Sequence, residues 1–298
     1  MMKKVFFTLF TLVLFQSLQA GILRDRLNLG EDEDEKEANF SKEIRLINNV
    51  SYGTEAKERF DVYMPLHVND STLAPVIFMV HGGAWKIGDK KSQSVVENKV
   101  NYWVKKGYIV ISTNYKMLPD TPVSEQVKAV AKALGFAQEK SASWGGNKAQ
   151  FILMGHSAGA HIIAMIASSS SLYAPNAITP PIAAVALDSA VMDTLMLMSA
   201  KHMRLYDQAF GSDPAYWQSL SPFHQLSSAR MPLLAVCSTK RDDSCSQAEK
   251  FLTKASSFGT KTLLLKENMS HKEINQRLGA DATYTKAVDD FLNSVIVQ

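Results

Sequence analysis

Six apolar runs, each five to seven residues long and dominated by Val, Ile, Leu and Ala, recur along this chain. They are "PVIFMV" (75–80), "YIVIST" (108–113), "FILMG" (151–155), "PIAAVAL" (181–187), "PLLAVC" (232–237) and "KTLLLK" (261–266). Runs that are apolar at consecutive positions, rather than alternate ones, suit strands covered on both faces, and so predict a mainly parallel sheet. Between them the pattern predicts helices near 92–106, 123–140, 157–169, 246–258 and 281–295, the last with Asp281 as its N-cap. Ahead of the runs, "KEIRLINNVSYG" and "ERFDVYMPL" alternate apolar with polar residues around a Gly-containing turn, the pattern of an antiparallel hairpin at a sheet edge. The expected architecture is α/β, with about eight mostly parallel strands and helices on both faces, and such folds run past about 200 residues as one domain. Residues 191–222 are rich in Met and aromatics without a strand signal, and predict a small lid inserted over the carboxyl edge of the sheet.

The N-terminus has a different character. Lys3 and Lys4 precede "VFFTLFTLVLF" and the more polar "QSLQA", the outline of a secretory signal peptide over residues 1–20 cut after Ala20. The apolar run falls well short of the roughly 20 residues a spanning helix needs, so no membrane span is expected after cleavage. The self-repelling "EDEDEKE" (31–37) lies within an expected solvated linker over 21–43, which leaves residues 44–298 for the folded domain. A net charge of only +3, spread along the chain, is no nucleic-acid footprint. The two cysteines, Cys237 and Cys245, stand eight positions apart. In an exported protein, secreted or periplasmic, such an isolated pair predicts a disulfide rather than a metal site.

Within "FILMGHSAGAH" (151–161) a strand-type run stops at Gly155, turns on Ser157 and resumes as a helix. A sharp strand-to-helix turn holds a nucleophile away from its own chain, and needs small residues two before and two after it. Gly155 and Gly159 fill those places. Ser157 then needs a base and an orienting carboxylate, because a serine hydroxyl is a weak nucleophile near neutral pH. His271 follows the last strand run, where a loop reaches back over the sheet edge, and is the expected base; His81, His156 and His161 read as structural, and His67, His202 and His224 as ordinary. For the acid, "STKRDDSC" (238–245) leaves a strand end between serine and histidine. Asp243 is preferred over Asp242 because it is held closer to Cys245, and Asp188 at the end of "AVALD" is the third candidate. "HGGAW" (81–85) follows a strand, where a glycine loop can aim backbone N–H groups at an oxyanion. The expected donors are Gly83, Ala84 and Ala158, with Trp85 in the substrate pocket. The loop lacks the G-x-x-x-x-G-K-[ST] spacing of a phosphate-binding turn.

Together "HGGAW" with Gly88 and Asp89, "NYKMLP" (114–119), "GHSAGAH", the "RDDSC" loop and "SHKEIN" with Leu278 and Gly279 resemble the α/β-hydrolase superfamily. The likeness is to its secreted carboxylesterase branch, related to hormone-sensitive-lipase and kynurenine-formamidase types. It covers nearly all of the chain from about residue 44. The resemblance implies a cofactor-free hydrolase that cleaves a small-molecule ester through an acyl-serine, with Ser157 as nucleophile, His271 as base and an Asp of the 242–243 pair as acid. Ala84 departs from the third glycine of lipase-like relatives, and a side chain there narrows the acyl pocket. The same apparatus serves amidases, formamidases and peptidases; a binding protein on a hydrolase scaffold is the remaining alternative, and such proteins usually lack a triad member.

Overall fold

The six apolar runs become six consecutive strands. In the computed structural model, which describes residues 37–67, 72–189 and 191–296, they are β3 (Ala74–Val80), β4 (Ile109–Thr113), β5 (Gly146–His156), β6 (Ala183–Leu187), β7 (Leu233–Ser238) and β8 (Thr262–Glu267). The predicted hairpin supplies β1 (Ile44–Ser51) and β2 (Arg59–Pro65), paired antiparallel. All eight strands join one sheet in the order β1-β2-β4-β3-β5-β6-β7-β8. Pairing is parallel from β4 through β8 and antiparallel where β2 meets β4, so the expected mainly parallel sheet with an antiparallel edge is what forms. The expected signal peptide and most of the acidic segment lie outside the described residues.

Side-chain alternation along the strands divides the core in two. From β3, Val76, Phe78 and Val80 enter one cluster and Ile77 and Met79 the other. The first cluster is closed by α2 (Val123–Lys140), α3 (Ala158–Ser168) and α8 (Ser244–Ser257); the second by α1 (Gln93–Trp103) and α10 (Ala282–Asn293). Helix α10 starts where Asp281 caps it, its side chain accepting from the Tyr284 N–H. Helix α3 is buried at every position, which explains why "AGAHIIAMIAS" lacks a polar stripe.

Two differences from the sequence expectation bear on function. The folded chain begins before residue 44: Ala38 and Phe40 pack on the second cluster, the Phe40 ring 5.0 Å from that of Tyr63, and the Asn39 N–H reaches Glu97 at 2.7 Å. Apolar side chains directly after the acidic run thus dock as soon as there is something to bury. The second is a helix absent from the expected set, α9 (His271–Arg277), started by a capping box between Ser270 and Glu273. The lid over residues 191–222 contains no strand, as expected, and runs through α4 (Thr194–Ser199), α5 (Arg204–Phe210) and α6 (Pro214–Ser219) to α7 (Pro222–Gln225). Met192, Leu197, Met198, Tyr206 and Phe210 bury its inner side in the first cluster, and Gln247 of α8 accepts from the Met192 and Asp193 N–H groups.

Candidate active site

Strand β5 ends at His156, and the chain turns into α3 on Ser157, whose φ of 56° and ψ of −119° no ordinary L-residue adopts without strain. The turn is tight enough to exclude side chains on either flank. A Cβ on Gly155 would lie 2.5 Å from the Gly159 carbonyl oxygen, and one on Gly159 would lie 2.2 Å from that of Val80. The two glycines of "GHSAG" are therefore required by backbone contact, not by flexibility.

His271 is the first residue of α9, at the carboxyl end of β8, where the Ser270 cap fixes the direction in which the helix departs. Its Nδ1 donates to Asp188 Oδ2 at 2.6 Å. Asp188 stands at the end of β6, wholly buried and at a φ of 51°. Its other oxygen accepts from the Ser238 N–H at 2.7 Å and from the Ser244 hydroxyl, and Arg241 Nη1 adds a bond to Oδ2 at 2.8 Å. Burial disfavours the charge, yet the His271 bond, the Arg241 charge and the Ser244 bond outweigh it and hold the carboxyl far below the usual range. For His271 burial acts first, pushing the imidazole pKa down; the Asp188 bond opposes it, Arg241 assists it, and the net is a lowered value.

The structure thus departs from the sequence ordering of acids. Asp243 occupies the cap position of α8 and lies 3.8 Å from Arg241 Nη2 with its side chain 41% exposed, and Asp242 is exposed; the carboxylate bonded to His271 is that of Asp188. The reason lies in the loop after β7. Cys237 and Cys245 form a disulfide, and the short loop it closes turns Ser238, Arg241 and Ser244 inward onto Asp188, leaving the aspartates outside. No spacing rule singled out Arg241. The signal for α9 was present, since Ser270 and Glu273 stand in the S-x-x-E pattern of a capping box.

After β3 the glycine loop passes over the elbow. Gly83 has φ +113°, and Ala84 and Trp85 follow at 53° and 58°, a left-handed run that turns the chain back so that Gly83 O accepts from the Lys86 and Ile87 N–H groups, both at 3.0 Å. A Cβ on Gly82 would meet His156 O at 2.8 Å and Ser157 Cβ at 2.9 Å. Gly83, Ala84 and Ala158, the expected oxyanion donors, line one cavity together with Ser157, His271 and Trp85. Trp85 is 2% exposed; its Nε1–H donates to His161 Nδ1 at 3.3 Å, and its ring meets Phe210 of the lid edge to face at 4.9 Å. His161 Nε2 in turn donates to Leu220 O at 2.8 Å, so this buried histidine ties the lid to α3, and burial pushes its pKa down to about 4. His156 Nε2 donates to the His271 carbonyl at 2.9 Å, and His81 Nδ1 to Gly82 O at 2.7 Å. All three histidines read as structural in the sequence have such bonds. Val191, Leu205 and Tyr206 of the lid line the cavity with apolar surface, and Asp89, Ser92 and Asn275 add polar groups to its lining.

The strand order and the serine turn define an α/β-hydrolase. The chain belongs to the BD-FAE family, whose profile matches residues 60–254, more than half of its length. Among curated proteins it is similar to isoprenylcysteine alpha-carbonyl methylesterase ICME of Arabidopsis thaliana, 34% identical over 125 residues, which are 42% of this chain and 28% of that protein. Kynurenine formamidase of Salmo salar is 30% identical over 151 residues, 51% of this chain and 48% of that protein. The matches therefore span less than half the length of these relatives. Among solved structures, a truncated carbohydrate esterase from gut microbiota superposes with a TM-score of 0.72 at 16% identity, covering 87% of this chain and 99% of that one. Esterase B of Lactobacillus rhamnosis bound to an inhibitor gives 0.71 at 16% identity, covering 95% of each chain. At these identities the likeness is one of fold.

Proposed function

We propose that this protein is an exported serine hydrolase that cleaves carboxylic esters through an acyl-serine intermediate, with Ser157 as nucleophile, His271 as base and Asp188 as the acid. The observation that carries the reading is the 2.6 Å bond between His271 Nδ1 and a buried Asp188, at the edge of a cavity that His271 shares with the strained Ser157. Asp188 holds the proton on Nδ1, so Nε2 is left to take the Ser157 proton as the hydroxyl attacks the ester carbonyl. The N–H groups of Gly83, Ala84 and Ala158 receive the oxyanion, each such donor contributing ~3 kcal/mol to transition-state stabilisation. His271 then gives its proton to the leaving alcohol, and water, activated by the same imidazole, releases the acid.

The acyl group sits against Trp85, Val191, Leu205 and Tyr206, and short acyl or aryl esters suit a lid of four short helices. Export is supported by the Lys3, Lys4 and "VFFTLFTLVLF" leader and by the oxidised Cys237–Cys245 pair, since disulfides persist in oxidising compartments. Among the described residues no helix is long and apolar enough to cross a membrane. The formamidase similarity favours one second reading, an amide-cleaving enzyme with the same three residues. A p-nitrophenyl ester series from acetate to palmitate, run with wild type and Ser157→Ala beside an anilide panel, separates these. The expected result is short-chain ester hydrolysis that vanishes in the variant. Anilide cleavage without ester cleavage moves the assignment to an amidase, and Ser157→Ala with wild-type rates removes the elbow serine from the mechanism.

A further inference from the structure

The loop after β7 points a cation, not a carboxylate, at the base. Arg241 Nη1 lies 2.8 Å from Asp188 Oδ2, 3.1 Å from Asp188 O and 2.9 Å from His271 Nδ1. The 2.6 Å separation of Nδ1 and Oδ2 requires the ring proton between them, so Nδ1 cannot also accept from Arg241. The guanidinium therefore grips Asp188 by both backbone and side chain and is pressed against the edge of the imidazole. We propose that Arg241 is a positioning residue for the base: it clamps Asp188 and, by its charge, keeps His271 unprotonated and able to accept the serine proton in mildly acidic solution.

The argument is one of charge balance, and it rests on Ser157, His271 and Asp188 acting as a triad. With Asp188 negative and Arg241 positive, the pair beside His271 is close to neutral before reaction, so a proton added to the imidazole meets an ion pair instead of a bare carboxylate. The remaining groups around His271 do not reverse this. Asp243, 3.8 Å from Arg241 Nη2 with its side chain 41% exposed, opposes Arg241 at His271 but more weakly. The His156 ring lies tilted against that of His271 with centroids 4.4 Å apart, and burial pushes its pKa well down, so it is neutral. Lys99 of α1 approaches α9 from behind, donating to Asn275 O at 2.6 Å, and Lys272 is the neighbour of His271 on α9 itself. Tyr206 of the lid lies against Arg241, and burial raises its pKa to about 12, so it brings no charge. Removing one nearby cation typically moves a partner's pKa by about one unit or more.

The experiment is the pH profile of kcat/KM for a p-nitrophenyl ester with wild type, Arg241→Lys, Arg241→Met, Asp188→Asn and Asp243→Asn. The acid limb of such a profile reports the free base. We expect Arg241→Met to move that limb up by about one pH unit, and Arg241→Lys, which keeps the charge, to leave it within about a third of a unit of wild type. Where turnover of Arg241→Met is too low to profile, the His271 ring titration by NMR on 15N-labelled protein reads the same shift. An Arg241→Met limb or titration coincident with wild type overturns the proposal. Wild-type turnover in Asp188→Asn instead overturns the triad reading beneath it, so the two failures are distinguishable.

Discussion

Replacing Asp188 by Asn tests the site at its most committed point. The carboxylate accepts four donors, Ser238 N–H and the Ser244 hydroxyl on Oδ1 and His271 Nδ1 and Arg241 Nη1 on Oδ2. An amide of the same shape has one accepting oxygen, so whichever way it flips, its NH2 group faces two donors and two bonds are lost. If the amide nitrogen faces His271, the imidazole is driven to the other tautomer, and Nε2 carries a proton where it should be able to accept one. For a Ser-His-Asp triad that change costs about 10⁴-fold in kcat, which is about 5 kcal/mol of barrier at about 1.4 kcal/mol per decade. Stability falls as well. Removing one partner of a buried ion pair costs about 3–5 kcal/mol, and the Arg241 side chain is 18% exposed, so we expect the lower end of that range. The pH dependence has a defined sign: the folded-state pKa of Asp188 is depressed, so its contribution is present above the ordinary carboxylate range and lost as pH falls below about 4. The assay is kcat on p-nitrophenyl acetate together with urea unfolding at pH 7 and pH 3.5, with Asp243→Asn in parallel. Asp243 makes no bond to His271 and is half exposed, so its variant should lose at most a few-fold. A larger kcat loss in Asp243→Asn than in Asp188→Asn would refute the reasoning.

Other expectations can be checked independently. Because burial lowers the His271 pKa, the acid limb of wild-type kcat/KM should be centred below 6.5; a limb centred at or above 6.5 contradicts the arrangement around the imidazole. Gly82→Ala sets a Cβ 2.8 Å from His156 O and 2.9 Å from Ser157 Cβ, so the glycine loop must move; on the proposed oxyanion role we expect a kcat loss of about 10²-fold or more with little change in KM, and a KM effect alone would show that the loop only binds. The Cys237–Cys245 bridge closes a loop of eight positions, for which chain entropy gives about 2.5 kcal/mol. The Cys237→Ser/Cys245→Ser double variant should therefore unfold at lower urea and also lose activity, because the loop carries Ser238, Arg241 and Ser244; peptide mapping without reduction should find the two cysteines linked.

Much of the scaffold was legible in the sequence because it depends on local patterning. Six apolar runs became six strands, and the helix expected at 123–140 occupies those residues, since burial on both faces of a parallel sheet and on one face of a helix leaves direct periodic traces. The elbow was legible for a similar reason: Gly155 and Gly159 answer to contacts within a few residues of Ser157, plus the one passing strand that ends at Val80. The missed helix α9 carried its signal in Ser270 and Glu273, but seven residues with a mixed pattern do not stand out beside longer segments.

Which carboxylate meets His271 was decided by tertiary structure alone. Asp188, Asp242 and Asp243 all follow strand ends, and sequence separation says nothing about which loop curls inward. The outcome depends on β6 and β7 being neighbours, on a disulfide that closes the loop after β7, and on three donors, Ser238, Arg241 and Ser244, converging on the fully buried Asp188. A carboxylate can be buried as an ion only where such donors replace its water, and that requirement is met by residues 50 to 83 positions away along the chain. The position of Arg241 against His271 has the same origin. A chain can state locally where it will turn and what it will bury, but the electrostatics of a site are set by groups brought together only when the sheet closes.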